Sequence, residues 1–419
     1  MFNRERRIKT HRHLTVLYVS TFLLRFAFAS LLLLLAWYIP SEGAYSGLLG
    51  VAIVALPYPF SEMVTANMFG MVSDRVGRKR VIVFGTSLAA LVVALYSLSS
   101  NVWYLALLHG IHGVGAAATV APAVAMIADH ADPEDRGRQM GLYDYSTFSG
   151  YILGPVFASV IHHYIGISLS FFVIGGILAF SALILYLFVP YEEGSSESIS
   201  ASDEKYINFS RLKEVLRIKE IGYFFPIWLI IATLLGLAVT YLPRILKEGG
   251  MADLSIGLLF GAAGLVLGLL QPLWGKVSDR IGRLPVMYYG VISISGVVLT
   301  LLFFMDQVIA RNPVILALLG LCGIGVGAFI PAALALMADA SPAESYGATM
   351  GLYSFALGFG SFLAETGGLI LILLVGSENA PLYLLYLSAI LIALALLLIV
   401  RFVLAERLQS GKRLLSILR

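Results

Sequence analysis

Twelve separate, predominantly apolar runs, most of them some 20 to 27 residues long, constrain this chain more than any other feature. About 20 apolar residues in a helix cross the hydrocarbon of a bilayer. Lipid offers no partner for backbone N–H and C=O groups, so such runs must be helices or the strands of a closed barrel. Barrel strands show short alternating segments of about ten residues, whereas these runs are predominantly apolar over their length. Helices are therefore expected. Composition agrees: 59% of the 419 residues are hydrophobic and 13% are charged, against about a quarter charged in a soluble domain. A soluble fold of this size has no interior large enough to hide that apolar surface.

The spans are placed near 14–38, 46–69, 81–99, 102–128, 140–161, 168–189, 222–243, 254–274, 284–305, 313–338, 348–375 and 380–403. Ala27-Phe28-Ala29 imitates a signal-peptidase site, but hydrophobicity continues to Trp37, too far for a leader. The first run is read as a retained membrane helix. With the N-terminus inside, 24 of the 28 lysines and arginines fall in cytoplasmic segments. Only Arg244, Lys247 and Arg311 fall outside, and Arg25 lies within the membrane. The positive-inside bias then puts both termini in the cytoplasm, in a multi-pass protein of the cell membrane. The net charge of +3 follows from this topology and gives no sign of nucleic-acid binding. Cys322, the single cysteine, excludes an intramolecular disulfide and reads as packing.

The chain repeats itself. Gly70, Ser73, Asp74, Arg75, Gly77 and Arg78 return as Gly275, Ser278, Asp279, Arg280, Gly282 and Arg283, 205 residues later. Ala128-Asp129 and Met140-Gly141-Leu142-Tyr143 return 210 residues later as Ala338-Asp339 and Met350-Gly351-Leu352-Tyr353. Tyr38-Ile39-Pro40 closes the first span and Tyr241-Leu242-Pro243 the seventh. The expected organisation is a six-helix bundle over 1–190, a cytoplasmic linker over 191–220 and a second bundle over 221–419. Parallel repeats of this kind place a substrate site between the halves near mid-membrane. The linker is acidic and serine-rich at first and then amphipathic. It reads as a solvated connector, or as a hinge with a helix on the inner membrane face.

On these residues the sequence resembles the major facilitator superfamily over about residues 14 to 404. The loop signature of that family, G-x-x-x-D-R-x-G-R-[KR], is matched by Gly70, Asp74, Arg75, Gly77, Arg78 and Lys79, with a degenerate second copy that includes Asp279 and Arg280. The resemblance implies an all-α membrane protein of twelve transmembrane helices in two pseudo-symmetric six-helix bundles. It also implies that this cluster, with Asp129 as a partner for Arg75 or Arg78, latches the halves on the inner side. The plainer reading is that these charges only set topology. Gly141, Gly150, Gly154 and Pro155 resemble the fifth-helix motif of drug:proton antiporters, with Ala158-Ser159 replacing its final glycine pair. Small residues at this spacing also serve ordinary close packing of helices.

The fourth-helix signature of proton-coupled members, R-x-x-Q-G-x-G-A-A, is half present: His109 and His112 stand where it has arginine and glutamine. This departure puts the usual arginine-based coupling in doubt. Two histidines at i, i+3 admit a proton or substrate role, a helix contact, or a metal. Zinc needs three or four ligands, however, and no others are apparent in the sequence. Ionisable residues inside spans are functional candidates by default. Arg25 lies 11 residues into the first span and Glu62 lies 8 residues before Gly70. That puts them at about 16 Å and about 12 Å from the inner surface, at about 1.5 Å per residue. They can pair, for function or for structure alone. Glu365 lies deep in the eleventh span, and Asp144 near the inner mouth of the fifth.

No P-loop or other catalytic motif is present, since Gly275-Lys276 lacks both its upstream glycine and the following Ser or Thr. A transporter is expected, with no enzyme activity, cofactor or metal, working as a monomer on a small molecule with protons. Its leading reading is proton-coupled export of a hydrophobic or amphipathic compound. The alternative is an importer, uniporter or lipid or glycolipid flippase that meets an anionic group through Arg25. A non-transporting sensor on the same fold is a third class, because fold alone does not fix function.

Overall fold

The computed structural model describes residues 2–130, 136–189, 216–340 and 346–417. Helices account for nearly all of them, and no strand occurs among the described residues. Each expected span has its helix. They run over Phe2–Tyr38, Gly47–Ala55 with Pro57–Val76, Arg78–Leu95, Val102–His130, Arg136–Ile165 and Ile167–Phe188. The second series is Lys219–Glu248, Asp253–Ile281, Arg283–Ile309, Pro313–Val326 with Phe329–Ala340, Tyr346–Val375 and Ala380–Ile417. Eleven spans among the described residues are long and apolar enough to cross a membrane. The fifth helix is the exception, because Arg136, Arg138, Gln139, Asp144, His162 and His163 dilute it.

Local chemistry sets the breaks. Pro57 opens a new helix in the second span, since it has no N–H to continue the first and its fixed φ suits a helix start. Asn101 starts the fourth span by accepting from the N–H groups of Trp103 and Tyr104. Asn312 does the same for the tenth, accepting from Val314 N–H with Pro313 in the first turn. The second and third spans meet at Gly77 (φ 97°), and the eighth and ninth at Gly282, also φ 97°. L side chains rarely adopt that conformation, so the repeated glycine has a backbone cause.

Two compact units emerge. One comprises described residues of Met1–Glu204, Ala238–Gly268 and Glu365–Ser377, and the other those of Lys205–Leu237, Leu269–Ala364 and Glu378–Arg419. Thus one end of the seventh, eighth and eleventh spans packs with the first six. The first unit buries Leu14, Leu17, Ile82, Met126, Ile127 and Leu185 together. The second is centred on Trp228 stacked on Phe329, with ring centroids 5.5 Å apart, among Ile231, Val291 and Ile294. Leu91, Phe172, Leu269, Phe303, Leu373 and Leu397 are exposed on the surface. Such a surface is unfavourable in water and natural in lipid.

Candidate functional site

Close helix contacts in the first unit build the site. A Cβ on Gly150 would come within 2.7 Å of the Phe22 oxygen and the Phe26 nitrogen, and one on Gly154 within 2.6 Å of the Phe26 oxygen. The fifth helix therefore lies backbone to backbone on the first. Ser30 adds a cross-link, donating to the Gly154 carbonyl at 2.8 Å. Another face of the fifth helix meets the eighth, where a Cβ on Gly257 would lie 2.1 Å from the Ser159 hydroxyl and 2.7 Å from the Pro155 oxygen. The second unit repeats the first arrangement: Gly360 abuts Ala232, and Gly236 abuts Ala364. Gly141 and Asp144 lie in the fifth helix, with side-chain positions outside the described residues.

Held this way, Arg25 of the first helix reaches the fifth. One terminal guanidinium nitrogen donates to the Tyr151 hydroxyl at 3.3 Å, and its Cζ lies 5.7 Å from that ring's centroid. Its Nε is buried and has no hydrogen-bond partner among the described residues. Glu62 lies close enough for its charge to act on Arg25. The two expected partners are thus electrostatic neighbours, and Arg25 directs its hydrogen bond to Tyr151. Glu365 is only 8% exposed. Its carboxyl group lies beside the Thr240 side chain and within reach of the charge of Glu62. Its Oε2 has no hydrogen-bond partner among the described residues, and its backbone carbonyl accepts from the Tyr241 hydroxyl at 3.1 Å. Two carboxylates and one guanidinium therefore share the interior of one unit.

The histidines line the same interior. His109 and His112 are buried, with ring centroids 5.9 Å apart. Both flank the Tyr58 ring, at 5.0 and 5.3 Å. Phe28 closes the cluster, 5.2 Å from Tyr58 and 6.1 Å from Tyr151. His109 Nδ1 shares a 3.0 Å hydrogen bond with the Tyr96 hydroxyl, and His112 Nδ1 has no partner among the described residues. No group of three or more potential metal ligands occurs among the described residues. Phe28, Tyr58, Tyr96, Tyr151 and Thr240 were not singled out from sequence. Helical spacing held a signal for two of them: Tyr58 lies one turn before Glu62, and Phe28 three residues after Arg25.

The repeated loop motif differs in detail between its copies. In the first, Arg78 pairs with Asp74 at 3.0 Å, Lys79 lies 5.3 Å from the centre of the Tyr186 ring, and Arg75 is exposed. A Cβ on Gly70 would meet nothing within 4 Å, so this glycine, unlike Gly77, has no steric cause in this structure. The Asp129 side chain lies outside the described residues. Its repeat counterpart, Asp339, binds Arg283 at 2.9 Å, and Arg283 also pairs with Asp279. The arginine of the second copy that forms these ion pairs is therefore Arg283, while Arg280 is exposed. Arg244, placed from sequence in an external loop, is instead inside the seventh helix and 1% exposed. The helix continues to Glu248 because Arg244 finds enough partners to be buried. The linker expected over 191–220 falls largely outside the described residues.

The sequence profile of the Major Facilitator Superfamily matches residues 17–251 and 236–415. The chain is 25% identical over 359 residues to a multi-drug resistance efflux pump PmrA homolog of Lactococcus lactis, covering 82% of this chain and 84% of that one. It is 24% identical over 352 residues to the multidrug resistance protein MdtG of Enterobacter lignolyticus, covering 80% of each. Among solved structures it is similar to the nucleoside transporter NupG, with a TM-score of 0.74 at 12% identity over 92% of this chain and 99% of that one. It is also similar to a POT family transporter solved with 5-aminolevulinic acid, with a TM-score of 0.69 at 13% identity over 92% and 96%. At such identity these two structures support the fold alone, and that fold is the twelve-helix one expected from the repeat. With its profile matched over nearly the whole length, this chain belongs to the major facilitator superfamily and is a membrane transporter, not an enzyme.

Proposed function

We propose that the protein exports hydrophobic or amphipathic small molecules across the cytoplasmic membrane in exchange for protons, by alternating access. One observation carries this reading: Glu365 and Glu62 share an interior with Arg25, and Glu365 keeps one buried oxygen without a partner among the described residues. A carboxyl group that alternates between apolar and cation-paired surroundings can take up and release a proton. The aromatic wall of Phe28, Tyr58 and Tyr151 beside it suits a lipophilic solute. The efflux pumps similar to this chain add weight.

In this reading the halves 1–190 and 221–419 rock about the site, both termini are cytoplasmic and the protein acts as a monomer. Arg78–Asp74 and Arg283–Asp339 belong to the latch on the inner side, and Gly150, Gly154 and Pro155 to the close packing of the fifth helix. A second reading rests on the Arg25 Nε, which has no hydrogen-bond partner among the described residues: a carrier that meets an anionic group there, as importer, uniporter or flippase. Proteoliposomes with an imposed pH gradient separate the two. Accumulation of a lipophilic solute against its gradient, abolished by a protonophore, supports exchange for protons. Equal flux with and without the gradient refutes it.

A further inference from the structure

The seventh helix ends in a buried cation that neither the loop motif nor the central cluster uses. Arg244 Nε donates to Glu248 at 2.7 Å. One terminal nitrogen donates to the Ala36 and Ile39 carbonyls at 3.2 and 2.7 Å. The other donates to the Pro40 carbonyl at 3.3 Å and the Ser41 hydroxyl at 3.2 Å. All five N–H donors of the guanidinium are engaged, four of them on the end of the first span. Carbonyls at a helix C-terminus carry partial negative charge and have no partner in their own helix. A cation inserted among them is held by charge as well as by hydrogen bonds.

A second tie lies beside it. Asp253, at the start of the eighth span, accepts from Lys247 at 3.2 Å and from His162 Nε2 of the fifth helix at 2.9 Å. The Lys247 ammonium lies 5.3 Å from the centre of the Trp37 ring, and that ring packs at 5.6 Å on His162. The ends of the first, fifth, seventh and eighth spans are thus joined by two adjoining networks.

The repeat gives the contact its meaning. Tyr38-Ile39-Pro40 corresponds to Tyr241-Leu242-Pro243, so Ser41 and Arg244 are equivalent positions of the two halves. They touch each other. Only one of the pair is an arginine, and it fills the junction from one side. Any motion that separates the two repeats at this end must withdraw Arg244 from the carbonyls of the first span.

We propose that Arg244 is the latch of this mouth: a guanidinium of the second half that caps the first helix and must leave it before the mouth opens. In the orientation expected from the lysine and arginine bias this is the outer mouth, opposite the Asp74 loops. The inference rests on alternating access, and its test reads conformation without solute or protons, so that it can fail independently of the transport reading.

Spin labels at Glu42→Cys and Ala252→Cys, both exposed at this end, are placed in a Cys322→Ala background and their separation is measured in purified full-length protein. The parent should show one dominant short distance. Arg244→Gln should add a longer population and lower the closed-to-open ratio at least tenfold. Asp253→Asn should lower it less, because the guanidinium cap remains. Gly257→Ala serves as a wedge, since its Cβ would sit 2.1 Å from the Ser159 hydroxyl, and should lengthen the same distance. Folded Arg244→Gln protein with the parent's distance distribution overturns the proposal. Should Arg244→Gln fail to fold, Arg244→Lys replaces it: it keeps the charge and forfeits most of the five bonds. An unchanged distribution in that variant overturns the proposal equally. Longer distances in a protein that moves no solute would leave the latch standing and the transport reading refuted.

Discussion

Replacing Glu365 by glutamine should uncouple solute movement from protons while leaving the fold intact. Glutamine keeps the size of the side chain and a polar oxygen beside Thr240, and the backbone carbonyl that accepts from Tyr241 is unaffected. The substitution therefore removes a titratable proton at little structural cost. With Glu62 and Glu365 as the acidic carriers, at most two protons are carried per cycle. Each proton exchanged across one unit of ΔpH supplies about 1.4 kcal/mol, or about tenfold in the limiting ratio of an uncharged solute. If Glu365 alone carries the proton, about tenfold accumulation should collapse to equality in Glu365→Gln. If both acids carry one, about a hundredfold should fall to about tenfold in each single variant and to equality in the double variant. Accumulation in proteoliposomes gives these ratios, and solute-driven proton release in detergent gives the stoichiometry. Counterflow exchange without a pH gradient should persist, because it requires no net proton movement. Normal proton release from both single variants and the double variant would refute the carboxylate mechanism and move the role to His109.

Gly77→Ala should lower the midpoint of thermal inactivation by the equivalent of about 1–3 kcal/mol, because its φ of 97° is costly for any L side chain, whereas Gly70→Ala should change it by under about 0.5 kcal/mol. Equal effects at both positions would argue against the turn reading. Asp74→Asn removes the 3.0 Å pair with Arg78 and should shift the population toward the inward-open state. A change of about 1.4 kcal/mol moves that ratio tenfold, readable as distances between labels on the inner ends of the two repeats; unchanged distances would reduce Asp74 to a topology determinant. A membrane-impermeant thiol reagent on intact cells should reach a cysteine at residue 42 and not one at 75, in a Cys322→Ala background; the reverse pattern overturns the orientation.

Much of this protein is legible in its sequence, because a bilayer leaves backbone polar groups so few arrangements. Apolar run length alone placed a helix at each of the twelve spans, and the recurrence of Gly77 at Gly282 located two tight turns with the same φ. The candidate acids and Arg25 were legible for a related reason: a charge in hydrocarbon is costly enough to stand out. What such a charge touches is decided by close packing between helices distant in sequence. Arg25 turns to Tyr151, 126 residues away, because Gly150 and Gly154 bring the fifth helix onto the first. Glu365 likewise lies within reach of the charge of Glu62, far from it in sequence. Arg244 gave the most misleading signal. Beside a proline at the end of an apolar run it reads as a loop residue in water. Its burial depends on carbonyls of the first span more than 200 residues away, and only the tertiary structure supplies enough acceptors at one point to hold a guanidinium out of water.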